Sequence, residues 1–183
     1  MLFARTPTLD IAYAATGLEG GTPVVLLHGF PDDARAYDEV VGPLASAGCR
    51  VLVPYLRGYG QTRFLDPATP RSGQQAALGA DLRDFLDALG IERAVVGGYD
   101  WGGRAACVVS ALWPERVIGL VSINGYNIQN IATSGHPAPA DQEYRHWYQW
   151  YFNTDRGRTG LAVNRHDVCR LLWTLWSPNW QFD

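Results

Sequence analysis

Asp100 stands in Gly98-Tyr99-Asp100-Trp101-Gly102-Gly103, directly after the apolar run Ala94-Val95-Val96 and before the small-residue run Arg104-Ala105-Ala106-Cys107-Val108-Val109. A strand that turns sharply into a helix through G-x-nucleophile-x-G exposes the central side chain at its tip, and the turn leaves almost no room for side chains two positions to either side. Gly98 and Gly102 meet that demand. A carboxylate at such a tip attacks carbon and forms an alkyl ester, which a second step must hydrolyse. A serine there would form an acyl ester from a carbonyl substrate. Aspartate therefore points away from esters and toward epoxides or alkyl halides.

Such a carboxylate must be carried by a buried strand and backed by a sheet. Thr8 to Thr16 alternates enough to form a strand, and the glycine-rich stretch Gly17 to Thr22 turns into Pro23-Val24-Val25-Leu26-Leu27. That continuous apolar run is the pattern of a strand buried on both faces of a parallel sheet. A helix is expected from about Tyr37 to Ala47, ending at Gly48, followed by the strand Arg50-Val51-Leu52-Val53-Pro54. Ser72 and Gln75 are spaced as a capping box, and Gly90 is placed as a helix stop. Between them Leu78, Leu82, Phe85, Leu86 and Leu89 recur at helical spacing. Ala94 to Gly98 forms a strand, Trp101 to Leu112 a helix packed closely on the sheet, and Val117 to Ile123 another strand. This alternation implies a mostly parallel sheet with right-handed crossovers and helices on both faces. A ligand then binds beyond the carboxyl ends of the strands, where His28, Arg57 and Asp100 lie.

Composition limits the alternatives. The chain has 183 residues, 47% hydrophobic and 18% charged, with a net charge of −3 and no cluster of Lys and Arg. That balance argues against nucleic acid or an anionic membrane as partner. Three cysteines, Cys49, Cys107 and Cys169, show no C-x-x-C spacing, which fits a reducing compartment and no metal site. The segment Met1 to Asp10 lacks the apolar core of a signal peptide, and no run reaches membrane-spanning length. The expectation is a cytoplasmic protein without a cofactor. Composition changes after Tyr126: Gly135, Pro137 and Pro139 mark a loop, and five of the seven tryptophans follow, Trp147, Trp150, Trp173, Trp176 and Trp180. They form the core of a helical subdomain, the lining of an apolar pocket, or both.

Three motifs in order, His28-Gly29-Phe30-Pro31, Leu56-Arg57-Gly58-Tyr59-Gly60 and Gly98-Tyr99-Asp100-Trp101-Gly102-Gly103, resemble the epoxide hydrolase and haloalkane dehalogenase branch of the α/β-hydrolases. The resemblance is most secure over residues 22–126. It implies an α/β-hydrolase fold with residues 1–126 as the N-terminal part of the core and 127–183 as the start of a helical cap. It implies Asp100 as nucleophile and the backbone N–H groups of Phe30 and Trp101 as an oxyanion hole. The branch's His-Gly histidine is structural, so His28 supports the turn and edges the substrate pocket rather than acting as base. Arg57 is expected to organise nearby loops, and Tyr55 replaces the Asp that usually precedes Leu-Arg-Gly-Tyr-Gly. Haloalkane dehalogenases commonly carry Asn after His-Gly to hold halide, where Phe30 has no such donor. Trp101 offers an indole N–H beside the nucleophile, but epoxide hydrolases also carry Trp there, and fluoroacetate dehalogenases typically place Arg. Tyr148-Gln149-Trp150-Tyr151-Phe152 resembles the Y-Q-x-Y-F stretch of soluble epoxide hydrolases, which makes Tyr148 the donor to the epoxide oxygen, with Tyr144 or Tyr151 as alternates. Phe30, Trp101, Trp147 and Tyr151 would complete the pocket wall. His136, His146 and His166 are expected in cap or surface roles.

The resemblance also implies a water-activating His paired with Asp or Glu after the cap. The sequence ends at Trp180-Gln181-Phe182-Asp183, so the pair has no counterpart, and Asp167 and Asp183 lack the right context. The expectation is a truncated chain lacking the C-terminal strands, able to open a hydrophobic epoxide as an ester on Asp100 but impaired in turnover. Its sheet edge would be exposed, favouring homo-oligomers or association with a missing C-terminal segment. The alternatives are a haloalkane or haloacid dehalogenase, and a non-catalytic fragment or binding module of the same fold. A serine-type esterase is disfavoured by Asp100.

Overall fold

A computed structural model describes residues 1–124 and 128–182. The chain divides into two compact units, Met1–Gln129 and Asn130–Asp183. The boundary expected between residues 126 and 127 falls outside the described residues, as does Asp183.

The first unit is built on seven strands: β1 (Leu2–Arg5), β2 (Leu9–Thr16), β3 (Thr22–Leu27), β4 (Cys49–Pro54), β5 (Arg63–Phe64), β6 (Ala94–Tyr99) and β7 (Val117–Ile123). They run in the order β1-β2-β4-β3-β6-β7, with the short β5 paired to β2. The β3–β4, β3–β6 and β6–β7 pairs are parallel, and β1, β4 and β5 pair antiparallel with β2. The apolar strands are therefore the parallel ones, as expected, and the alternating segment Leu9–Thr16 carries the antiparallel pairing. β1 and β5 were not expected: they are too short for a periodic pattern and exist by pairing with β2.

Each central strand feeds two cores. Val25, Leu27, Leu52 and Val96 pack with Leu78, Leu82, Phe85, Leu86, Ala105, Ala106 and Val109. These last come from α2 (Gln75–Ala88) and α3 (Asp100–Leu112). The alternate residues Val24, Leu26, Val51 and Val53 pack with Ala34 and Tyr37, and with the partly buried Val41 and Leu44 of α1 (Asp38–Ser46) and the 3-10 turn before it. Covering both faces is what makes these strands apolar at every position. β7 departs from that rule, with Ile118, Leu120, Val121 and Ile123 all 42% exposed or more.

Gly90 ends α2 as expected, with φ +64. The capping box does not form. α2 begins at Gln75 behind Gln74, which makes no side-chain cap bond, and the Ser72 hydroxyl accepts instead from Gln74 N–H at 3.3 Å. Ser72 is held elsewhere, because its carbonyl accepts from Arg57 Nη1 at 2.9 Å. Gln75 turns away too, its Oε1 accepting from Gln129 N–H at 3.4 Å.

The second unit is helical: α4 (Ala140–Arg145), α5 (Trp147–Phe152), α6 (Asp155–Val163) and α7 (Arg165–Trp176). Thr154 caps α6, its hydroxyl accepting from Gly157 N–H at 3.0 Å. Leu172 is fully buried, and Trp173, Trp180 and Phe182 meet edge-on or tilted, 5.0–5.8 Å between ring centroids.

Arg57 organises the loop after β4. Its guanidinium grips Asp81 on α2 with two bonds, Nε to Oδ2 at 2.6 Å and Nη2 to Oδ1 at 2.7 Å, and both side chains are 12% exposed. Removing one member of a buried pair strands the other charge. Asp81→Leu should destabilise the chain by about 3–5 kcal/mol in urea unfolding, whereas Arg57→Met/Asp81→Leu together should recover most of that loss.

Candidate active site

Leu27 at the end of β3 lies opposite Gly98 near the end of β6. The two parallel neighbours leave the sheet side by side at the same edge. β4 lies on one side of β3 and β6 on the other, so this is the point where the strand order reverses, the place where open α/β sheets bind their ligands.

Asp100 begins α3 with φ +48, a left-handed conformation that costs a non-glycine residue on the order of 1–3 kcal/mol. The strain is held by close packing of backbone on backbone. A Cβ on Gly98 would lie 2.6 Å from the Gly102 carbonyl carbon, and one on Gly102 would lie 2.0 Å from the Leu27 oxygen. Any side chain at either position pushes the elbow off the sheet. The half-buried Asp100 accepts at Oδ1 from the Phe30 backbone N–H at 3.0 Å. Its place in the first turn of α3 adds the favourable end of the helix dipole. Trp101 is half-buried beside it, its ring covered by the Arg104 guanidinium at 4.2 Å.

His28 is fully buried. Its Nδ1 lies 3.1 Å from the Gly29 carbonyl, and its Nε2 accepts from Leu56 N–H at 3.1 Å. These partners place the proton on Nδ1 of a neutral ring, and burial holds its pKa below the ordinary value. The imidazole joins the turn after β3 to the loop after β4 from behind, with both nitrogens committed to backbone. Tyr55 packs by its ring near His28, 6.3 Å between centroids, and its carbonyl accepts from the Thr62 hydroxyl at 2.7 Å.

Two tyrosines complete the support, and neither was singled out in the sequence. Tyr37 donates to the Leu27 carbonyl at 2.9 Å, and Tyr99 donates to Asp32 Oδ2 at 2.8 Å. A tyrosine adjoining Asp100 and an aspartate shortly after the His-Gly turn were the available signals, but they lie 67 positions apart.

The structure thus brings Asp100, Phe30, Trp101 and His28 together in the first unit. Tyr148, Trp147 and Tyr151 belong to the second unit. There the half-buried Tyr148 ring meets Trp176 edge-on at 5.1 Å, and its hydroxyl accepts from Gln149 Nε2 at 3.3 Å. Trp147 and Tyr151 lie 5.7 Å apart. Tyr144 and Trp150 are 75% and 63% exposed. His166 and Asp167 approach to 3.6 Å on α7, but at 85% and 82% exposure they are a solvated pair. Among the described residues no group of three or more His, Cys, Asp or Glu is placed to hold a metal, and no helix is long and apolar enough to cross a membrane.

The family model described as alpha/beta hydrolase fold matches residues 22–179. Epoxide hydrolase 4 of Mus musculus is 33% identical over 151 residues, covering 81% of this chain and 40% of that protein. Epoxide hydrolase B of Mycobacterium tuberculosis is 34% identical over 149 residues, covering 75% of this chain and 41% of its own. The crystal structure of a candidate epoxide hydrolase from Klebsiella pneumoniae superposes with a TM-score of 0.96 at 47% identity, covering 100% of this chain and 60% of that one. The chain thus spans about two fifths of these curated relatives.

Neutral His28 makes the first unit sensitive to acid. Because the folded pKa lies below the ordinary 6.5, the unfolded chain takes up the proton first as pH falls, and stability is lost from 6.5 downward. Urea midpoints should therefore fall between about pH 7.5 and 5.5, and His28→Gln should remove His28's share of that slope.

Proposed function

Because the chain belongs to the α/β-hydrolase fold family, we propose that Asp100 is the nucleophile of an epoxide hydrolase-type reaction on a small apolar epoxide. The observation that carries this reading is the Phe30 N–H held on Asp100 Oδ1 at 3.0 Å, in an elbow whose glycines give the carboxylate its strained place where the strand order reverses.

With Oδ1 so engaged, Oδ2 attacks an epoxide carbon. The carbon–oxygen bond of the ring breaks, and its electron pair stays on the epoxide oxygen. That oxygen takes a proton from a phenol, the role that the likeness to the Y-Q-x-Y-F stretch gives Tyr148, leaving a hydroxyalkyl ester on Asp100 and a phenolate that recovers a proton from water. In the second step, water adds to the ester carbonyl, and Oδ1 becomes an oxyanion received by the N–H groups of Phe30 and Trp101. Collapse releases the diol and restores Asp100. Efficient hydrolysis needs a base for the water, and the buried, backbone-committed His28 is unsuited to that work. Turnover by these residues alone is therefore impaired, and the ester accumulates.

Intact mass after incubation with styrene oxide tests this reading. A gain equal to the whole epoxide should appear, should vanish in Asp100→Asn, and should form about 100-fold more slowly in Tyr148→Phe. With a bromoalkane, a gain of the alkyl group alone with bromide release would move the reading to dehalogenation. No adduct with either reagent would overturn the nucleophile assignment.

A further inference from the structure

We propose that the Tyr99 hydroxyl and the Asp32 carboxylate form a positioning clamp that fixes the Phe30 N–H on the Asp100 carboxylate. Its effect on rate rests on the reading of Asp100 as nucleophile; its effect on geometry does not.

Two segments far apart in sequence cross at the site, one running from Gly29 to Asp32 and the other from Gly98 to Trp101. Two hydrogen bonds carry the tie, and the Gly29 backbone also bonds to the Tyr99 hydroxyl. Phe30 N–H donates to Asp100 Oδ1 at 3.0 Å, and the Tyr99 hydroxyl donates to Asp32 Oδ2 at 2.8 Å. Tyr99 and Asp100 are adjacent, and Phe30 and Asp32 are separated only by Pro31. The two bonds therefore close a small ring through both backbones, and stretching one strains the other.

Contact limits the ring from the opposite side. A Cβ on Gly29 would lie 2.5 Å from the Asp100 Cβ and 2.8 Å from its Oδ1, so the turn already touches the nucleophile and has no room to approach further. Contact stops the Phe30 N–H from moving in, and the Tyr99–Asp32 bond stops it from moving out. Two further ties act elsewhere on the turn. Tyr37 holds the Leu27 carbonyl, and His28 links Gly29 to Leu56, both at the base nearer the sheet. Asp32 lies past Phe30, at the far end.

The donor direction is also defined. Burial, followed by the bond to Asp32, pushes the Tyr99 phenol well above the usual tyrosine range, and the Gly29 backbone acts in the opposite sense. Tyr99 therefore keeps its proton and donates. The Tyr37 ring at 6.0 Å flanks it.

The test reads hydrogen exchange and the pH-dependent shift of the Phe30 amide by NMR, in the whole chain. In Tyr99→Phe and in Asp32→Ala, Phe30 should exchange about tenfold faster and its shift should follow Asp100 ionisation less closely. The Val25 and Val96 amides in the sheet should keep their protection. Asp32→Asn retains an acceptor oxygen and should keep Phe30 protected, and Tyr99→Phe/Asp32→Ala should be no worse than either change alone. Unchanged Phe30 exchange in the single variants would overturn the clamp. So would equal loss at Val25 and Val96, additive effects in the double variant, or failure of Asp32→Asn. Adduct formation on Asp100 is then compared across the same variants. Absence of any adduct in the parent would sink the nucleophile reading, while the amide data would still decide the clamp.

Discussion

The candidate site depends on how closely two backbones approach where β3 and β6 leave the sheet. Leu27 and Gly98 are opposed as parallel neighbours, and the Leu27 carbonyl comes within 2.0 Å of where a Gly102 side chain would begin. That proximity lets a single amide, Phe30, reach the carboxylate of an unrelated segment. It also explains why the surrounding side chains are devoted to holding backbone. His28, Tyr37 and Thr62 all bond to main-chain groups. The polar residues nearest the carboxylate act largely as scaffolding.

The sheet that delivers these ends has to be rigid, and its rigidity comes from burial on both faces. β3 alternates its residues between two cores, with Val25 and Leu27 facing α2 and α3 while Val24 and Leu26 face α1. Sliding β3 by one residue would exchange these sets and displace the turn from Asp100. Register and site geometry are therefore one constraint.

Much of this could be read from the sequence, for identifiable reasons. The parallel strands were legible because doubly buried strands are uninterrupted apolar runs, and the elbow because its glycine spacing is set by local geometry. β1 and β5 were not, since strands of four and two residues carry no period and owe their existence to β2. The Ser72–Gln75 pattern was legible but misleading: Arg57 takes the Ser72 carbonyl, a competition no local pattern records. Asp100 was identifiable from its own neighbours, and the Phe30 contact only through family resemblance. Tyr99 and Asp32 lie 67 positions apart, and nothing in either neighbourhood marks them as a pair. The aromatic crowding of residues 147–182 was plain, but which ring meets which, such as Tyr148 on Trp176, required coordinates.

The bond from Phe30 to Asp100 spans 70 positions, that from Leu56 to His28 spans 28, and that from Arg57 to Asp81 spans 24. Loops of that length close only when the elements between them have docked. During synthesis, Asp100 leaves the ribosome as an ordinary hydrated side chain. It gains its strained conformation and its amide partner when β6 slots beside β3 and α3 seals the face. The geometry around this residue is thus a readout of completed folding, and immature or damaged copies of the chain lack it.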